Sequence, residues 1–197
     1  MEIPVLLTYS FVRYMWDERI AILALTALLL LLLEVEYIRL EVRPRLPRIL
    51  DLFRPRERNN VTGTVFFISA TIIVFGAFDY PIAMLALLLT VFGDLASALV
   101  GIKFGRHKMF KSKTWEGFFA GLAINVLVGY LFLPQFPIVF LAMALVASVV
   151  EVLTNKLDDN ITVPLFSGFT GQMIVYIFAF QMPHFPEPLT WLFNLIT

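Results

Sequence analysis

The chain has no cysteine and few charged residues for its length. Of its 197 residues, none is cysteine, 15% are Asp, Glu, Lys or Arg, and 59% are apolar. The absence of cysteine excludes disulfides, thiolate metal sites and cysteine nucleophiles. The shortage of charge excludes an ordinary soluble domain, and a mean hydropathy of +0.84 agrees with this. The composition therefore indicates an integral membrane protein.

The chain also lacks an excess of either charge and the motifs of soluble phosphate chemistry. Fifteen basic and 15 acidic residues give a formal net charge of zero, so no global basic field favours nucleic acid as a partner. The sequence contains no Gly-x-x-x-x-Gly-Lys-Ser/Thr loop, no glycine-rich kinase loop and no His-Glu-x-x-His motif. Any chemistry on phosphates must therefore use a different scaffold.

Long apolar runs are what the sequence does contain. A helix of about 20 residues crosses a hydrocarbon core of about 30 Å. The runs predict an all-α polytopic membrane helix bundle with about six transmembrane helices, and the absence of a linker predicts one integral membrane domain over residues 1–197. The pieces 3–16 and 189–196 are too short to span and are expected at the membrane interface. The predicted spans are residues 20–38, 61–78, 82–102, 115–133, 138–154 and 161–180.

Basic residues fall in alternate loops. The turns at 79–81 and 134–137 contain no Lys or Arg. By the positive-inside rule, this pattern predicts that the basic loops face the cytoplasm. Topology and contact with anionic membrane lipids are sufficient to explain the arginine-rich first loop. The basic residues are Arg39, Arg43, Arg45, Arg48, Arg54, Arg56 and Arg58 after the first span, Lys103, Arg106, Lys108, Lys111 and Lys113 after the third, and Lys156 after the fifth.

Polar residues inside the spans recur at helical spacing. An Asp near the middle of a span costs about 2.5–3.5 kcal/mol on insertion scales, so Asp94 is by default a working site with a cationic or metal partner. We expect Asp94, Asn125 and Glu151 to face a common interior. Glycines at every fourth position are also explained by close helix packing alone. The stripes are Thr90, Asp94, Ser97 and Gly101, then Gly117, Gly121, Asn125 and Gly129, then Ser148, Glu151 and Asn155.

Structural explanations stay open for several of these residues. Asp94 could serve only as a partner for a neighbouring Asn or Lys, and Glu151 could extend from its helix end to the interface. His107 in the second basic loop is expected to be solvated rather than to bind a ligand. A functional site is favoured because the acids and bases coincide on one predicted side of the membrane.

Four stretches, in order along the chain, resemble the motifs of one family. They are residues 57–64, the stretch from Gly93-Asp94 to Gly105-Arg106, a Lys-Thr-x-Glu-Gly segment beginning at Lys113, and Glu151 followed by residues 158–165. The sequence resembles the polyprenol kinase family, which comprises dolichol kinase, phytol kinase and CTP-dependent diacylglycerol kinase and is related to phosphatidate cytidylyltransferases. The resemblance covers about residues 54–171. The third motif could instead align on Lys111-Ser112, but Lys113-Thr114 restores the family spacing and is preferred.

The resemblance implies a CTP-dependent kinase that converts a membrane isoprenoid alcohol, of the dolichol or polyprenol type, to its monophosphate. The implied cofactor is Mg²⁺, a hard ion that prefers carboxylate and phosphate oxygens. Glu151 is expected to accept or orient the proton of the alcohol. The implied site comprises Asp94, Glu151 and Glu116 as catalytic residues, Asp94, Glu116 and Asp159 as metal ligands, and Arg106, Lys108, Lys111, Lys113, Thr114, Asn160 and Thr162 in nucleotide and phosphate binding.

Two other functional classes stay open. A cytidylyltransferase would use the same nucleotide and metal but attack the α-phosphorus to form a CDP-lipid. A transporter would also carry buried acids, but it predicts an inverted repeat, which the sequence does not show. The sequence leaves open which lipid alcohol is used, whether the second metal ligand is Glu116, Asp158 or Asp159, and whether the chain forms a homo-oligomer.

Overall fold

The computed structural model describes residues 2–15, 18–41, 61–110, 113–154 and 158–182. Over these residues the chain is mostly helical, which confirms the prediction of an all-α membrane-type bundle. The elements are α1 (Glu2–Met15), α2 (Glu18–Glu41), α3 (Gly63–Ala77), α4 (Tyr80–Phe104), β1 (Lys108–Phe110), β2 (Lys113–Thr114), α5 (Trp115–Phe132), α6 (Pro137–Leu153) and α7 (Asp159–Ile177).

Helices α2 to α7 occupy the positions of the six predicted spans. In the described residues, three of them, α2, α4 and α5, are long and apolar enough to cross a membrane. Helices α3 and α6 are apolar but shorter, at 15 and 17 residues. Helix α7 has 19 residues, includes Pro164 and carries more polar side chains. These features are those of an integral membrane protein.

The chain divides into two compact units, residues 1–72 and 73–197, with the boundary inside α3. In the first unit α1 packs against α2. Helix α2 continues to Glu41, so the prediction that Arg39 lies in a basic loop is wrong. Arg39 Nε donates to Glu36 Oε2 at 2.8 Å, and both side chains are buried. This acidic partner one turn earlier neutralises the arginine within the helix. The other arginines of that predicted loop lie outside the described residues.

The second unit is built around α4, which packs against α5, α6 and α7. Pro81 lies in the first turn of α4, where its missing N–H costs no helical hydrogen bond. The N-terminal half of α4 is apolar and supplies much of the core. The core includes Ile82, Leu85, Leu89, Leu133, Val139, Phe140, Met143 and Val175. The polar second half of α4 is thereby placed at the other end of this unit.

The second basic loop contains a short β-hairpin, formed by β1 and β2. The strands are antiparallel, with Lys108 opposite Thr114 and Phe110 opposite Lys113. Helix α4 ends before Gly105, where a Cβ would lie 2.2 Å from the carbonyl oxygen of Gly101. Only glycine fits that position. The hairpin therefore begins after a connection of three residues, 105–107, and ends directly at the start of α5.

Helices α4 and α5 meet along a seam of small residues. A Cβ at Gly117 would lie 2.8 Å from the Ser97 carbonyl oxygen, and one at Gly121 would lie 3.3 Å from the Gly93 carbonyl oxygen. The backbones can approach this closely only because these side chains are absent. The predicted stripe on the fourth span is confirmed as a buried face, comprising Gly117, Gly121, Asn125 and Gly129.

Candidate functional site

The buried carboxylate of Glu151 is the centre of a polar cluster. Glu151 lies in the last turn of α6 and is 5% exposed. Ser97 on α4 donates its hydroxyl to Glu151 Oε1 at 2.5 Å, and Lys113 Nζ on β2 donates to the same oxygen at 2.8 Å. A buried carboxylate requires an opposite charge and hydrogen bonds. These two donors supply both, so Glu151 joins α4, α6 and the hairpin.

Lys113 is the cation of this cluster, with 31% of its side chain exposed. Burial lowers the pKa of Lys113, but the charge of Glu151, the hydrogen bond to it and the charges of Asp159 and Asp94 outweigh that effect. The pKa is therefore raised above the ordinary lysine value, and the side chain is protonated at neutral pH. Three of the predicted acidic residues thus lie within electrostatic range of one lysine.

Asp94 lies at the edge of the polar stripe on α4 rather than at its centre. Thr90 and Ser97 are buried, whereas Asp94 is exposed. At about 100° per residue, Ser97 lies about 20° to one side of Thr90 and Asp94 about 40° to the other. The prediction of a common interior is therefore correct for Asn125 and Glu151, which are 1% and 5% exposed, and wrong for Asp94.

Asn125 places a neutral polar group deep in the bundle. Its Nδ2 donates to Ser148 Oγ at 3.1 Å. Its Oδ1 accepts no hydrogen bond from the described residues. A Cβ at Gly93 would lie 2.7 Å from this amide, so Asn125 fits between α4 and α5 only because residue 93 has no side chain. One turn earlier, Gly121 lies beside Glu151 Oε2.

Glu116 and Thr114 attach the hairpin to α5. Thr114 is the N-cap of α5, and its hydroxyl accepts from Gly117 N at 3.2 Å. The Glu116 carboxylate accepts from His107 N at 3.2 Å and lies 2.7 Å from His107 Nδ1. Trp115 N also donates to the His107 carbonyl at 3.0 Å. The His107 side chain is 79% exposed, which agrees with the prediction that it is solvated, and the hairpin also brings it against Glu116 in the first turn of α5.

The start of α7 positions three further predicted residues. Asp158 Oδ1 accepts from Asn160 N at 3.0 Å and caps the helix. Thr162 is buried, and its hydroxyl donates to the Asp158 carbonyl at 3.2 Å. Asp159 is the member of this group whose charge acts on Lys113. The ligand-orienting roles of Asn160 and Thr162 stay predictions.

The remaining predicted phosphate contacts belong to the basic segment after α4. Arg106 and Lys108 are exposed, and Lys111 lies outside the described residues. Among the residues that the structure describes, the cations around the cluster therefore lie on or beside the hairpin. The groups farther inside the bundle are hydroxyls, an amide and the Glu151 carboxylate.

The donor set suits a hard divalent cation. Asp94 and Asp159 offer carboxylate oxygens, which Mg²⁺ prefers. Within the described ranges, no three His, Asp or Glu side chains are grouped to hold a metal ion. Mg²⁺ usually binds through one or two carboxylates together with waters and substrate phosphates, and Asp94 and Asp159 are the two predicted ligands whose charges both act on Lys113. Glu116, the third predicted ligand, is engaged by His107.

A comparison with known protein families matches residues 3–159 to the cytidylyltransferase family. The matched region contains Asp94, Lys113 and Glu151 and ends at Asp159, where α7 begins. No curated protein and no solved structure gives a significant match. Because the family match covers well over half of the 197 residues, the chain belongs to the cytidylyltransferase family.

Proposed function

We propose that this protein transfers the γ-phosphoryl group of CTP to the hydroxyl of a membrane isoprenoid alcohol of the dolichol or polyprenol type. Membership of the cytidylyltransferase family indicates an enzyme and favours CTP as its nucleotide. The four ordered motifs that resemble polyprenol kinases favour phosphoryl transfer over cytidylyl transfer. The long apolar helices support an acceptor that is held in the membrane.

The distribution of charge around Glu151 carries this proposal. The hairpin segment presents Lys113 and exposed cations such as Lys108, which suit a strongly anionic triphosphate. The inner groups are neutral or acidic, and they suit an uncharged hydroxyl. A lipid phosphate would add negative charge beside a buried carboxylate, which is costly where the dielectric constant is low. An alcohol therefore fits the inner side of the cluster better than a lipid phosphate.

The proposed reaction forms one bond and breaks one. The alcohol oxygen bonds to the γ-phosphorus while the bond from that phosphorus to the bridging oxygen breaks, which releases CDP. The alcohol proton passes to a carboxylate, for which Glu151 is the candidate. Because phosphoryl transfer proceeds mainly through positioning and charge neutralisation, the protein needs no covalent intermediate.

We propose roles for the other residues that are consistent with their positions in the structure. Asp94 and Asp159 are proposed to hold Mg²⁺, which when bound neutralises charge on the phosphates. Asn160 and Thr162 are proposed to orient the nucleotide, and Thr114 and Glu116 to keep the hairpin attached to α5. The triphosphate contacts are proposed to be Arg106, Lys108, Lys111 and Lys113. As parts of the same proposal, the whole chain acts as one catalytic domain, with this end facing the cytoplasm.

The family match also favours a second candidate function, the formation of a CDP-lipid. In that reaction a lipid phosphate attacks the α-phosphorus of CTP, and pyrophosphate leaves. The nucleotide, the metal and the hairpin cations would be used in the same way. The two functions differ in which phosphorus is transferred and in whether cytidine stays on the lipid.

Labelled CTP distinguishes the two reactions. The purified full chain is incubated with Mg²⁺, a long isoprenoid alcohol or its phosphate, and CTP labelled at either the γ- or the α-phosphorus. We expect γ-label in a lipid monophosphate and release of CDP. Incorporation of α-label without γ-label would reject the kinase in favour of the cytidylyltransferase. No incorporation with any of several alcohols and lipid phosphates would reject both and favour a transporter.

A further inference from the structure

We infer that Ser97 and Glu151 form a buried anchor that positions Lys113 for the phosphates of the nucleotide. The anchor is the chain of hydrogen bonds from Ser97 Oγ to Glu151 Oε1 and from Lys113 Nζ to the same oxygen. The inference rests on the proposed function, because Lys113 is one of its proposed phosphate contacts. Ser97 is a positioning residue in this arrangement, since it acts on Lys113 through Glu151.

The hydroxyl of Ser97 is committed to Glu151 by its geometry. Its single proton has two acceptors within reach, the Asp94 carbonyl at 3.2 Å and Glu151 Oε1 at 2.5 Å. The charged and nearer acceptor forms the stronger hydrogen bond. Ser97 is itself buried in the glycine seam, where a Cβ at Gly121 would lie 3.2 Å from the Ser97 Cβ. The absence of a side chain at Gly121 thus lets Ser97 and Glu151 meet.

Lys113 needs such an anchor because its own strand gives it little support. Strand β2 has two residues, and lysine carries its charge on a flexible four-carbon stem. An ammonium has three donors, so Lys113 can hold Glu151 and still donate to phosphate oxygens. The charged groups that act on it are Asp94 from α4, Glu151 from α6 and Asp159 from α7. Of these, Glu151 is the buried one that also accepts a direct hydrogen bond.

Acylation of lysines tests the anchor without requiring turnover. The full chain in detergent is treated with an amine-acylating reagent, and mass spectrometry gives the rate at Lys113 relative to Lys108, which is exposed on the same hairpin. Glu151→Gln should raise this relative rate about tenfold, because a partly buried ammonium without its carboxylate releases its proton more readily. Ser97→Ala should raise it several-fold.

Ser167→Ala is the matched control for Ser97→Ala. It removes a hydroxyl from a serine that is also buried but donates to the Val163 carbonyl within α7. We expect the control to leave the labelling of Lys113 unchanged. An unchanged rate in Ser97→Ala, or an equal rise in Ser167→Ala, would overturn the role of Ser97. An unchanged rate in Glu151→Gln would reject the whole anchor.

Steady-state kinetics distinguish an anchor from a purely catalytic Glu151. If the anchor positions Lys113, Ser97→Ala should raise KM for CTP about tenfold and leave kcat within about twofold. A fall in kcat at unchanged KM would overturn the anchor and support Glu151 solely as proton acceptor. If the acylation rate of Lys113 changes in these variants but the protein does not use CTP, the proposed function is rejected and the contacts of Lys113 with Glu151 and of Glu151 with Ser97 stand. If the enzyme uses CTP but the acylation rate of Lys113 does not change in these variants, the anchor alone is rejected.

Discussion

The two ends of the second unit use glycine in opposite ways. At the hairpin end, Gly117 and Gly121 bring α5 against the backbone of α4 and leave Ser97 beside Glu151. At the other end, glycines make room for large apolar side chains instead. There Gly129 faces Phe140, Gly168 faces Phe78, and Gly171 faces Met143. Close helix packing therefore builds a polar cluster at one end and an apolar core at the other.

The carboxylates at the two ends also differ in their partners. Asp79, at the apolar end, is exposed and exchanges two hydrogen bonds with the neutral side chain of Gln172, at 2.9 and 3.0 Å. At the hairpin end, Asp94, Glu151 and Asp159 surround a lysine. An aspartate paired with an amide has no cation to share with a phosphate. The difference favours the hairpin end as the place of the proposed chemistry.

The largest expected effect comes from removing the charge of one aspartate at the hairpin end, and the same change at the apolar end is its control. Asp94→Asn should lower CTP-dependent lipid labelling at least about 100-fold, because Asp94 is proposed to hold Mg²⁺ and a metal ligand contributes several kcal/mol to the stabilisation of charge in the transition state. Asp79→Asn makes the same change at the other end and should leave the activity near that of the wild type. Both variants should remain monodisperse. Wild-type activity in a well-folded Asp94→Asn would remove Asp94 from the mechanism.

A smaller effect is expected from filling the seam at each end of α5. A Cβ at Gly117 meets the Ser97 backbone at 2.8 Å, and a Cβ at Gly129 meets the Phe140 side chain at the same distance. Overpacking of this kind costs about 1–3 kcal/mol, partly offset by the better helix propensity of alanine. Both Gly→Ala variants should therefore unfold at a lower temperature.

The two alanine variants should differ in activity. Gly117→Ala must displace the backbone of Ser97, so KM for CTP should rise in parallel with the loss of stability. Gly129→Ala should keep the wild-type KM, since Phe140 lies in the apolar core. Thermal unfolding in detergent and CTP kinetics measure the two quantities separately. An equal rise in KM for CTP in both variants would contradict the assignment of nucleotide binding to the hairpin end alone.

The smallest expected effect is the pH dependence of the Lys113 pair. Since the pKa of Lys113 is raised on folding, the pair stabilises the protein fully below the ordinary lysine pKa and loses this effect as the pH rises through the folded value. The difference in unfolding temperature between wild type and Glu151→Gln should thus be constant near neutrality and shrink above about pH 10. A difference that widens with rising pH would contradict the pairing.

Sequence reasoning predicted the features that depend on local pattern. Apolar runs located the helices, and the 3.6-residue period identified the buried face of α5, including Asn125. The partners of Glu151 were not predicted, because Ser97 and Lys113 are 54 and 38 residues away and meet it only through tertiary packing. Periodicity indicates which residues share a face but not which neighbour that face contacts. This is also why the exposure of Asp94 was missed.

The hairpin was not predicted either, for a different reason. Its strands have three and two residues, and their basic composition is typical of a solvated loop. No alternation of apolar and polar residues can be detected over so short a length. The contact of His107 with Glu116 follows from the hairpin and was missed with it. Gly105, which ends α4 ten residues before α5 begins at Trp115, is the signal that a tight connection must form there.

Helix α6 has a consequence for the membrane itself. Its 17 residues extend about 25 Å, which is shorter than a hydrocarbon core of about 30 Å. Local thinning of the bilayer is one way in which a helix with this mismatch is accommodated. Glu151 lies in the last turn of α6, so the thinning would draw the headgroup level toward it. A lipid whose hydroxyl lies at that level could reach the hairpin cations while its tail stays in the hydrocarbon.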